Sequence, residues 1–255
     1  MHSMFPKSKI DIIIPNYNKS NYLDECIQSV LNQTYKNWNI YLIDDFSTDN
    51  SIAILNKYKN YTNIKIIKLK KNMGPAFCRN LGMRLSNSEY ISFLDSDDYW
   101  NKEKLLIQLN FSEKNLYEFT FSDYYWFKES AKTIKLKSTN IVNNLNYKKF
   151  LKNSSINSST MILKRDLIDN IKFKKVKHED YLFKCDILRT GITAYKLNEK
   201  LVYYRIIENS RSGSKLNNIL SLWKINSKYN KLNFIKNLFS VLFISINSIK
   251  KYGVK

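Results

Sequence analysis

The first hundred residues alternate between short apolar runs and segments whose apolar residues recur at helical spacing. The apolar runs are rich in Ile, as expected for buried strands, and cover residues 10–14, 39–43, 64–69 and 90–94. Between them, apolar residues recur every three or four positions, which is typical of amphipathic helices. The order β-α-β-α-β-α-β predicts an α/β protein with a mainly parallel central sheet flanked by helices.

The third helical segment has a clear start signal. Pro75 follows Gly74, and proline in the first turn loses no hydrogen bond that the helix needs. The spacing of apolar residues predicts that Cys78, Leu81 and Leu85 form the stripe that faces the sheet.

The predicted strands end in polar residues, and the fourth ends in a cluster of carboxylates. Asp95, Asp97 and Asp98 follow its apolar run, while Asp44–Asp45 follow the second strand and Asn16 the first. In a parallel sheet these ends meet at one edge, where ligands bind. Crowded carboxylates repel one another unless a cation neutralises them, and Mg²⁺ or Mn²⁺ prefers oxygen ligands shared with phosphates. The pattern predicts a divalent metal holding a phosphorylated ligand; the alternative is an acidic turn that caps the next helix.

Glycine and histidine usage argues against other enzymes built on this architecture. The chain has five glycines, and neither a G-x-G-x-x-G nor a G-x-x-x-x-G-K pattern can be drawn through them. A G-x-S-x-G elbow is missing, and the histidines are His2 and His178. Hydride transfer, P-loop and serine hydrolase chemistry are therefore not expected.

Five motifs stand in a fixed order between residues 12 and 98. They read IIIPNYN at 12–18, QSVLNQTY at 28–35, LIDDFSTD at 42–49, NMGPAFCRN at 72–80 and FLDSDD at 93–98. With these motifs the chain resembles the inverting nucleotide-sugar glycosyltransferases of family 2, which have the GT-A fold. The resemblance continues more weakly through residues 178–180, 203–205 and 210–212.

The resemblance implies a set of donor-binding residues. The turn Pro15-Asn16-Tyr17 and Asp45 would hold the nucleotide base, with the Asp45 carboxylate accepting the imide N–H of a uracil ring. The same comparison places four further residues on the nucleotide-sugar side: Arg79, Asp95, Ser96 and Arg211. For Arg79 the alternative is a solvated arginine on a helix.

The resemblance also implies a metal site and a catalytic base. Asp97 would coordinate Mg²⁺ or Mn²⁺ directly, with Asp95 on the ribose or a metal-bound water, and the ion would neutralise the departing diphosphate. Asp180 is the expected base for the attacking hydroxyl, and Glu179 is the second candidate. The alternative for both is an ordinary acidic first turn of a helix.

One segment departs from the family pattern. Where relatives with a Tyr-Arg-x-His-x-x-Ser-x-Ser segment have a histidine near the metal, this chain has Ile207. Arg205 and Arg211 could supply positive charge to the diphosphate instead, because guanidinium matches phosphate geometry. Both could equally be solvated surface arginines.

The C-terminal segment is amphipathic. Residues 1–212 are expected to form the GT-A domain, with a nucleotide-binding half at about 1–100 and an acceptor-side half at 101–212. Residues 213–255 are expected to form an appended helical segment. Its unbroken apolar stretch, Leu238–Ile249, gives about 18 Å of helix, short of the roughly 30 Å hydrocarbon core. The helix either lies on the anionic inner-membrane surface or packs on the domain or on a second subunit of a homodimer.

The charge of +20 could attract an anionic membrane or a nucleic acid. The alternative is compositional: the chain is rich in Lys, Asn and Ile, and lysines scattered over every face need no partner. No basic patch with interleaved aromatics is evident, so nucleic acid is not expected. Three widely spaced cysteines fit reduced thiols, and no signal peptide is visible, which predicts a cytoplasmic protein, peripheral on the inner membrane.

The predicted function is transfer of a sugar, with inversion, from a nucleotide sugar to a saccharide or lipid-linked saccharide acceptor. A UDP-sugar is the expected donor, and the resemblance implies surface polysaccharide or lipopolysaccharide biosynthesis. The alternative is a non-catalytic basic protein on the same fold that binds membrane surfaces or nucleic acid.

Overall fold

The computed structural model describes residues 6–128, 144–207 and 215–252. Its strands are β1 (Ile10–Asn16), β2 (Trp38–Asp44), β3 (Ile64–Lys68), β4 (Tyr90–Phe93), β5 (Tyr99–Trp100), β6 (Phe119–Lys128), β7 (Asn144–Leu145), β8 (Met161–Lys164) and β9 (Ala194–Ile206). Its α-helices are α1 (Ser20–Leu31), α2 (Ser51–Asn56), α3 (Pro75–Leu85), α4 (Lys104–Asn115), α5 (Tyr147–Phe150), α6 (Glu179–Arg189), α7 (Lys215–Lys228) and α8 (Phe234–Tyr252).

One central sheet connects these strands in the order β3-β2-β1-β4-β8-β6-β9-β5, with β7 beside β9. The first four strands are parallel, as their hydrophobic runs predict. The second half is mixed, because β8 runs antiparallel to both β4 and β6, whereas β6 and β9 are parallel. The α/β class and the helix-flanked sheet are confirmed, with the predicted parallel pairing concentrated among β1, β2, β3 and β4.

Alternate residues of β1 point into two hydrophobic cores on opposite faces of the sheet. Ile12 packs with α1 and α4 on one face, and Ile13 packs with α3 and α6 on the other. Because helices cover both faces, β1 can be apolar on both sides, as the run Ile12–Ile14 is. The strand ends are thereby held in a rigid frame.

Helix α3 lies unusually close to β1. A Cβ at Gly82 would come within 2.5 Å of the Cγ2 of Ile13, so no larger residue fits there without a shift. Cys78 is buried as predicted and Leu81 partly so, but the prediction for Leu85 is wrong, because its side chain is 44% exposed. The close approach makes Gly82 part of the contact face, and Leu85, the last helical residue, lies beyond it.

The two C-terminal helices share a core with the rest of the chain. Leu222 and Ile225 of α7 and Val241 and Ile244 of α8 are buried in the cluster that also contains α6. Within the described ranges, no helix combines the length and apolar character that a membrane crossing requires. The segment is amphipathic, as its pattern predicts, and it packs on the domain.

Candidate active site

The ends of β1 and β2 are joined by buried polar contacts. The Nδ2 of Asn16 donates to the Oδ1 of Asp44 at 2.8 Å, and the Ser47 hydroxyl donates to the same carboxylate at 2.6 Å. Asn16 and Asp44 are both buried, whereas the neighbouring Tyr17 side chain is 46% exposed. Asp44 therefore shapes the loop, and Tyr17 is the side chain of this turn that is open to a ligand.

Asp45 organises the loop that leads into α3. Its two carboxylate oxygens accept the backbone N–H groups of Met73, at 2.6 Å, and Gly74, at 2.8 Å. Gly74 has φ of +87°, a conformation that glycine adopts without the strain of a Cβ. Asp45 is 3% exposed, and these two bonds use two of the roughly four acceptor sites of its carboxylate. The expected contact with uracil stays a prediction.

Arg79 lies between the acidic loop and the start of α6. Its Nη2 donates to Asp95 at 2.6 Å and its Nη1 to Glu179 at 3.0 Å, and the guanidinium packs on the Phe173 ring. The side chain is 6% exposed, so the solvated alternative is wrong. Burial alone would lower the pKa of Arg79, but the charges of Asp95 and Glu179 outweigh it and raise the pKa. A permanent positive charge therefore joins the two acidic motifs.

The acidic loop after β4 contains two accessible carboxylates and one structural one. The side chains of Asp95 and Asp97 are 31% and 24% exposed, and Asp97 pairs with Lys19 at 2.7 Å. Asp98 is buried and accepts the Ser159 hydroxyl at 2.6 Å and the backbone N–H of Arg205 at 3.0 Å. Burial raises the pKa of Asp97, the Asp95 charge adds to the effect, and Lys19 opposes it.

The donor set at this loop fits part of a metal site. No group of three or more His, Cys, Asp or Glu side chains among the described residues is arranged to hold an ion. Asp95 and Asp97 nevertheless present two accessible carboxylates whose mutual repulsion a cation would relieve. These two carboxylates would suit a divalent ion that neutralises a bound diphosphate.

Arg205 holds the acidic loop from the other side. Its Nε donates to the Asp97 carbonyl at 3.0 Å, its Nη2 pairs with Glu25, and the guanidinium stacks on Tyr22 and Phe127. The side chain is 10% exposed, so a solvated surface arginine is wrong here too. Arg205 fixes the position of the loop through its backbone.

Three other positions were singled out from the sequence: Ser96, Ile207 and Arg211. Ser96 is buried within the acidic loop. Ile207, which replaces the family histidine, is half-buried just after β9. Arg211 lies outside the described residues, so its expected contact with the diphosphate stays a prediction.

Helix α6 begins at the second acidic motif. The Asp180 carboxylate pairs with Lys184 at 2.8 Å and remains 37% exposed, whereas Glu179 is bonded to Arg79. Burial would raise the pKa of Asp180, but Lys184 and Arg79 outweigh it, and the pKa lies below its ordinary value. Asp180 is therefore an ionised, accessible carboxylate, which is the condition that a base must meet.

Three residues of the site were not identified from the sequence. The contact of Lys184 could have been predicted from the sequence, because Lys184 stands four residues after Asp180 and would share its helix face. Lys19 and Ser159 reach the acidic loop from distant positions in the chain, and no local pattern indicates either contact.

The comparison with protein families decides the class. The model of glycosyl transferase family 2 matches residues 11–172, which contain both strand-end loops and the acidic cluster. The chain belongs to glycosyl transferase family 2. The GT-A architecture and glycosyl transfer as its chemistry are confirmed, and the alternative of a non-catalytic binding protein loses its support.

The chain is similar to proteins from several organisms. The Escherichia coli protein WfaP, named as a UDP-Glc:alpha-D-GlcNAc-diphosphoundecaprenol beta-1,3-glucosyltransferase, is 37% identical over 83% of this chain and 82% of its own. Residues 1–349 of S. aureus TarS in complex with UDP-GlcNAc superpose with a TM-score of 0.73 at 21% identity, covering 95% of this chain and 73% of that one. The Pyrobaculum calidifontis mannosyltransferase PcManGT, in complex with GDP-Man and Mn²⁺, has a TM-score of 0.65 at 13% identity, covering 98% of this chain and 77% of that one.

Proposed function

We propose that this family 2 enzyme transfers a sugar from a UDP-sugar to a hydroxyl of a lipid-linked saccharide, with inversion at the anomeric carbon and with Mg²⁺ or Mn²⁺. The observation that carries the proposal is the Arg79 bridge, which joins Asp95 of the acidic loop to Glu179, the neighbour of Asp180. One guanidinium therefore connects the side expected to hold the diphosphate with the side expected to hold the base.

The donor end of the proposal uses the β1 and β2 loops. Tyr17 is open to a nucleotide base, and Asp45 retains acceptor capacity for the imide N–H of uracil. WfaP is named for UDP-Glc and TarS was crystallised with UDP-GlcNAc, which supports a uridine nucleotide here.

The metal would be held by Asp97 and Asp95. When bound, it would neutralise the charge that develops on the nucleoside diphosphate as it leaves. Lys19, whose ammonium lies 2.7 Å from Asp97 and whose side chain is 27% exposed, can place a second positive charge beside the same diphosphate. The Mn²⁺ in PcManGT supports this assignment.

Asp180 would accept the proton of the acceptor hydroxyl. As the hydroxyl oxygen bonds to the anomeric carbon, the bond from that carbon to the diphosphate oxygen breaks on the opposite face, which inverts the configuration. The low pKa of Asp180 makes it a weak base in the ground state, so proton transfer follows the acidification of the hydroxyl during attack. Lys184 orients the carboxylate through its hydrogen bond.

The acceptor is proposed by analogy with WfaP, whose name specifies a sugar on diphosphoundecaprenol. An acceptor of that class lies in a membrane and serves polysaccharide assembly. The enzyme would therefore work at the cytoplasmic face of the inner membrane.

The experiment is a transfer assay with UDP-, GDP- and CDP-sugars, a polyprenyl-diphosphate-linked GlcNAc acceptor, and Mn²⁺, Mg²⁺ or EDTA. We expect transfer from a UDP-sugar alone, its loss in EDTA, and a product whose anomeric coupling in NMR spectra shows inversion. Transfer from a GDP-sugar would contradict the donor assignment, retention would contradict the base, and full activity in EDTA would contradict the metal.

A further inference from the structure

Helix α8 is packed on the domain through its polar edge. The inward positions are Asn237, Ser240, Val241 and Ile244, which recur at helical spacing. The Nδ2 of Asn237 donates to the Trp223 carbonyl at 3.1 Å, and Ser240 donates to the Leu151 carbonyl. The side of α8 that faces the protein is therefore held by these hydrogen bonds and by the buried Val241 and Ile244.

The apolar side of α8 faces outward instead. Phe234 and Ile235 are 69% and 63% exposed, and Leu238, Phe239 and Leu242 are each about half exposed. The exposed set on this helix continues with Phe243, Ile246 and Ile249, and α7 adds Leu216, Ile219 and Leu220. An apolar surface of this extent on a soluble monomer marks an interaction site. We call these eleven side chains the apolar face.

The charge around the apolar face indicates its partner. Residues 209–255 contain no Asp or Glu, whereas nine Lys or Arg residues fall in the same stretch. Lys236 and Lys250 are exposed on α8 itself, and the Lys152 ammonium lies 5.7 Å from the Phe243 ring. A second copy of the chain would bring two such cationic segments together, which is unfavourable. Anionic lipid headgroups would attract them.

We propose that α7 and α8 bind the surface of an anionic membrane, with the apolar face among the acyl chains and the lysines at the headgroups. Helix α8 has 19 residues and is about 28 Å long, and it would lie in the interface plane because its other side is bonded to the protein.

The attachment of α8 leads to the catalytic helix. Ser240 accepts from Asn226 Nδ2 at 2.9 Å, and Asn226 accepts the Tyr181 hydroxyl at 2.9 Å. Tyr181 follows Asp180 directly on α6. A membrane bound at the apolar face would therefore stand at a fixed position relative to Asp180, and this consequence alone rests on the proposed function.

The test uses the full chain and lipid vesicles, without donor or acceptor. We expect co-sedimentation with vesicles containing phosphatidylglycerol and much weaker binding to pure phosphatidylcholine. The double variant Phe239→Ser/Leu242→Ser should lose about tenfold in partitioning for each side chain. Leu85→Ser, whose side chain is 44% exposed on α3, is the matched control and should bind like the wild type.

A second variant tests the charges separately. Lys236→Glu/Lys250→Glu should weaken binding by at least roughly fivefold per lysine, whereas Lys59→Glu/Lys114→Glu, exposed elsewhere, should change it far less. Equal binding to both vesicle types, or equal loss with both lysine pairs, would overturn the proposal.

Sedimentation velocity without lipid tests whether a second copy of the chain covers the apolar face instead of a membrane. We expect a monomer whose sedimentation coefficient is unchanged by Phe239→Ser/Leu242→Ser. A dimer that this variant dissociates would overturn the membrane proposal in favour of a second subunit. Because neither assay contains substrate, failure here is distinct from failure of the proposed function.

Discussion

Charged side chains are arranged differently at the acidic edge, which contains Asp95, Asp97 and Asp180, and in the C-terminal helices. At the acidic edge each of these acids pairs with a cation: Asp95 with Arg79, Asp97 with Lys19 and Asp180 with Lys184. Residues 209–255 carry cations without any acid, beside an uncovered apolar face.

This difference separates two kinds of function. Ion pairs that are internal to the site hold the carboxylates in place, and a charged ligand can bind by exchanging partners with them. Lys236 and Lys250 are exposed beside the apolar face and form no ion pair with the described residues, so they are suited to a partner outside the chain. The acidic edge is therefore suited to a small charged ligand, and the C-terminal helices to an extended anionic surface.

The largest effect is expected from the base. Asp180→Asn should lower kcat by about 10²–10⁴-fold while leaving UDP binding intact, because the amide cannot accept the proton. Asp186→Asn on the same helix is the matched control, since that carboxylate pairs with Lys174 and Arg189 away from the acidic motifs. Steady-state transfer and nucleotide titration separate the two effects. Wild-type kcat in Asp180→Asn would show that another group is the base.

The next effect concerns the Arg79 bridge. Arg79→Met should lower the free energy of unfolding by about 3 kcal/mol, because Asp95 and the largely buried Glu179 lose their counter-charge. Arg79→Lys should recover only part of it, since one ammonium does not reproduce the two-armed geometry.

Arg84→Met, an exposed position on the same helix, should stay within about 0.5 kcal/mol of the wild type. Urea unfolding measures all three variants. If Arg79→Met and Arg84→Met were equally stable, the bridge would have no structural role.

The sequence predicts which residues lie at the site better than it predicts which side chains pair with one another there. Strand ends bring Asn16, Asp45 and Asp97 to one edge because parallel strands share a direction, and this follows from hydrophobic runs alone. The partner of Asp97, Lys19, depends on how the start of α1 sits over the loop, and no local pattern records that.

The orientation of α8 could not be predicted from the sequence either. A helical wheel gives the polar and apolar stripes, but the stripe that docks is decided by the partners that the domain offers. Here the Leu151 carbonyl of the domain accepts from Ser240 and the Trp223 carbonyl of α7 accepts from Asn237, so both side chains face inward. The sequence indicated an amphipathic helix and left its orientation open.

The third prediction compares the two sides of α8. Ser240→Ala should cost about 1–3 kcal/mol of unfolding free energy, because it leaves the Asn226 amide and the Leu151 carbonyl without a buried partner. Phe239→Ser, next to it and half exposed, should change stability by about 0.5 kcal/mol or less. Chemical denaturation of both variants measures the contrast. A larger loss from Phe239→Ser would mean that the apolar face is already packed within the protein.

The smallest effect concerns Lys104, which is fully buried at the start of α4. Its ammonium contacts Ser92 at 2.9 Å and the Trp100 ring at 3.8 Å, and the part of the chain that the structure describes gives it no ion pair. Burial lowers the pKa of Lys104 well below its ordinary 10.5. The unfolded chain therefore binds a proton that the folded chain releases, and this residue adds stability as pH rises from the lowered pKa toward 10.5.

Lys104→Met should remove that dependence and stabilise the fold near neutral pH by about 1 kcal/mol, because an apolar group of similar shape replaces a buried polar one. The difference in unfolding free energy between variant and wild type, followed from pH 6 to pH 9, should shrink as pH rises. A constant difference would show that Lys104 keeps one protonation state throughout.

The most direct test of the central claim is the thermal stability of the full chain with UDP, GDP or CDP, in Mn²⁺ or in EDTA. A ligand at a hundredfold excess over its dissociation constant stabilises by about 2.7 kcal/mol, so weak binding is measurable. We predict a shift with UDP and Mn²⁺ that EDTA and Asp97→Ala both abolish, while Asp169→Ala, at an exposed carboxylate, retains it. A UDP shift that survives both EDTA and Asp97→Ala would contradict the assignment of the acidic loop to a metal and diphosphate.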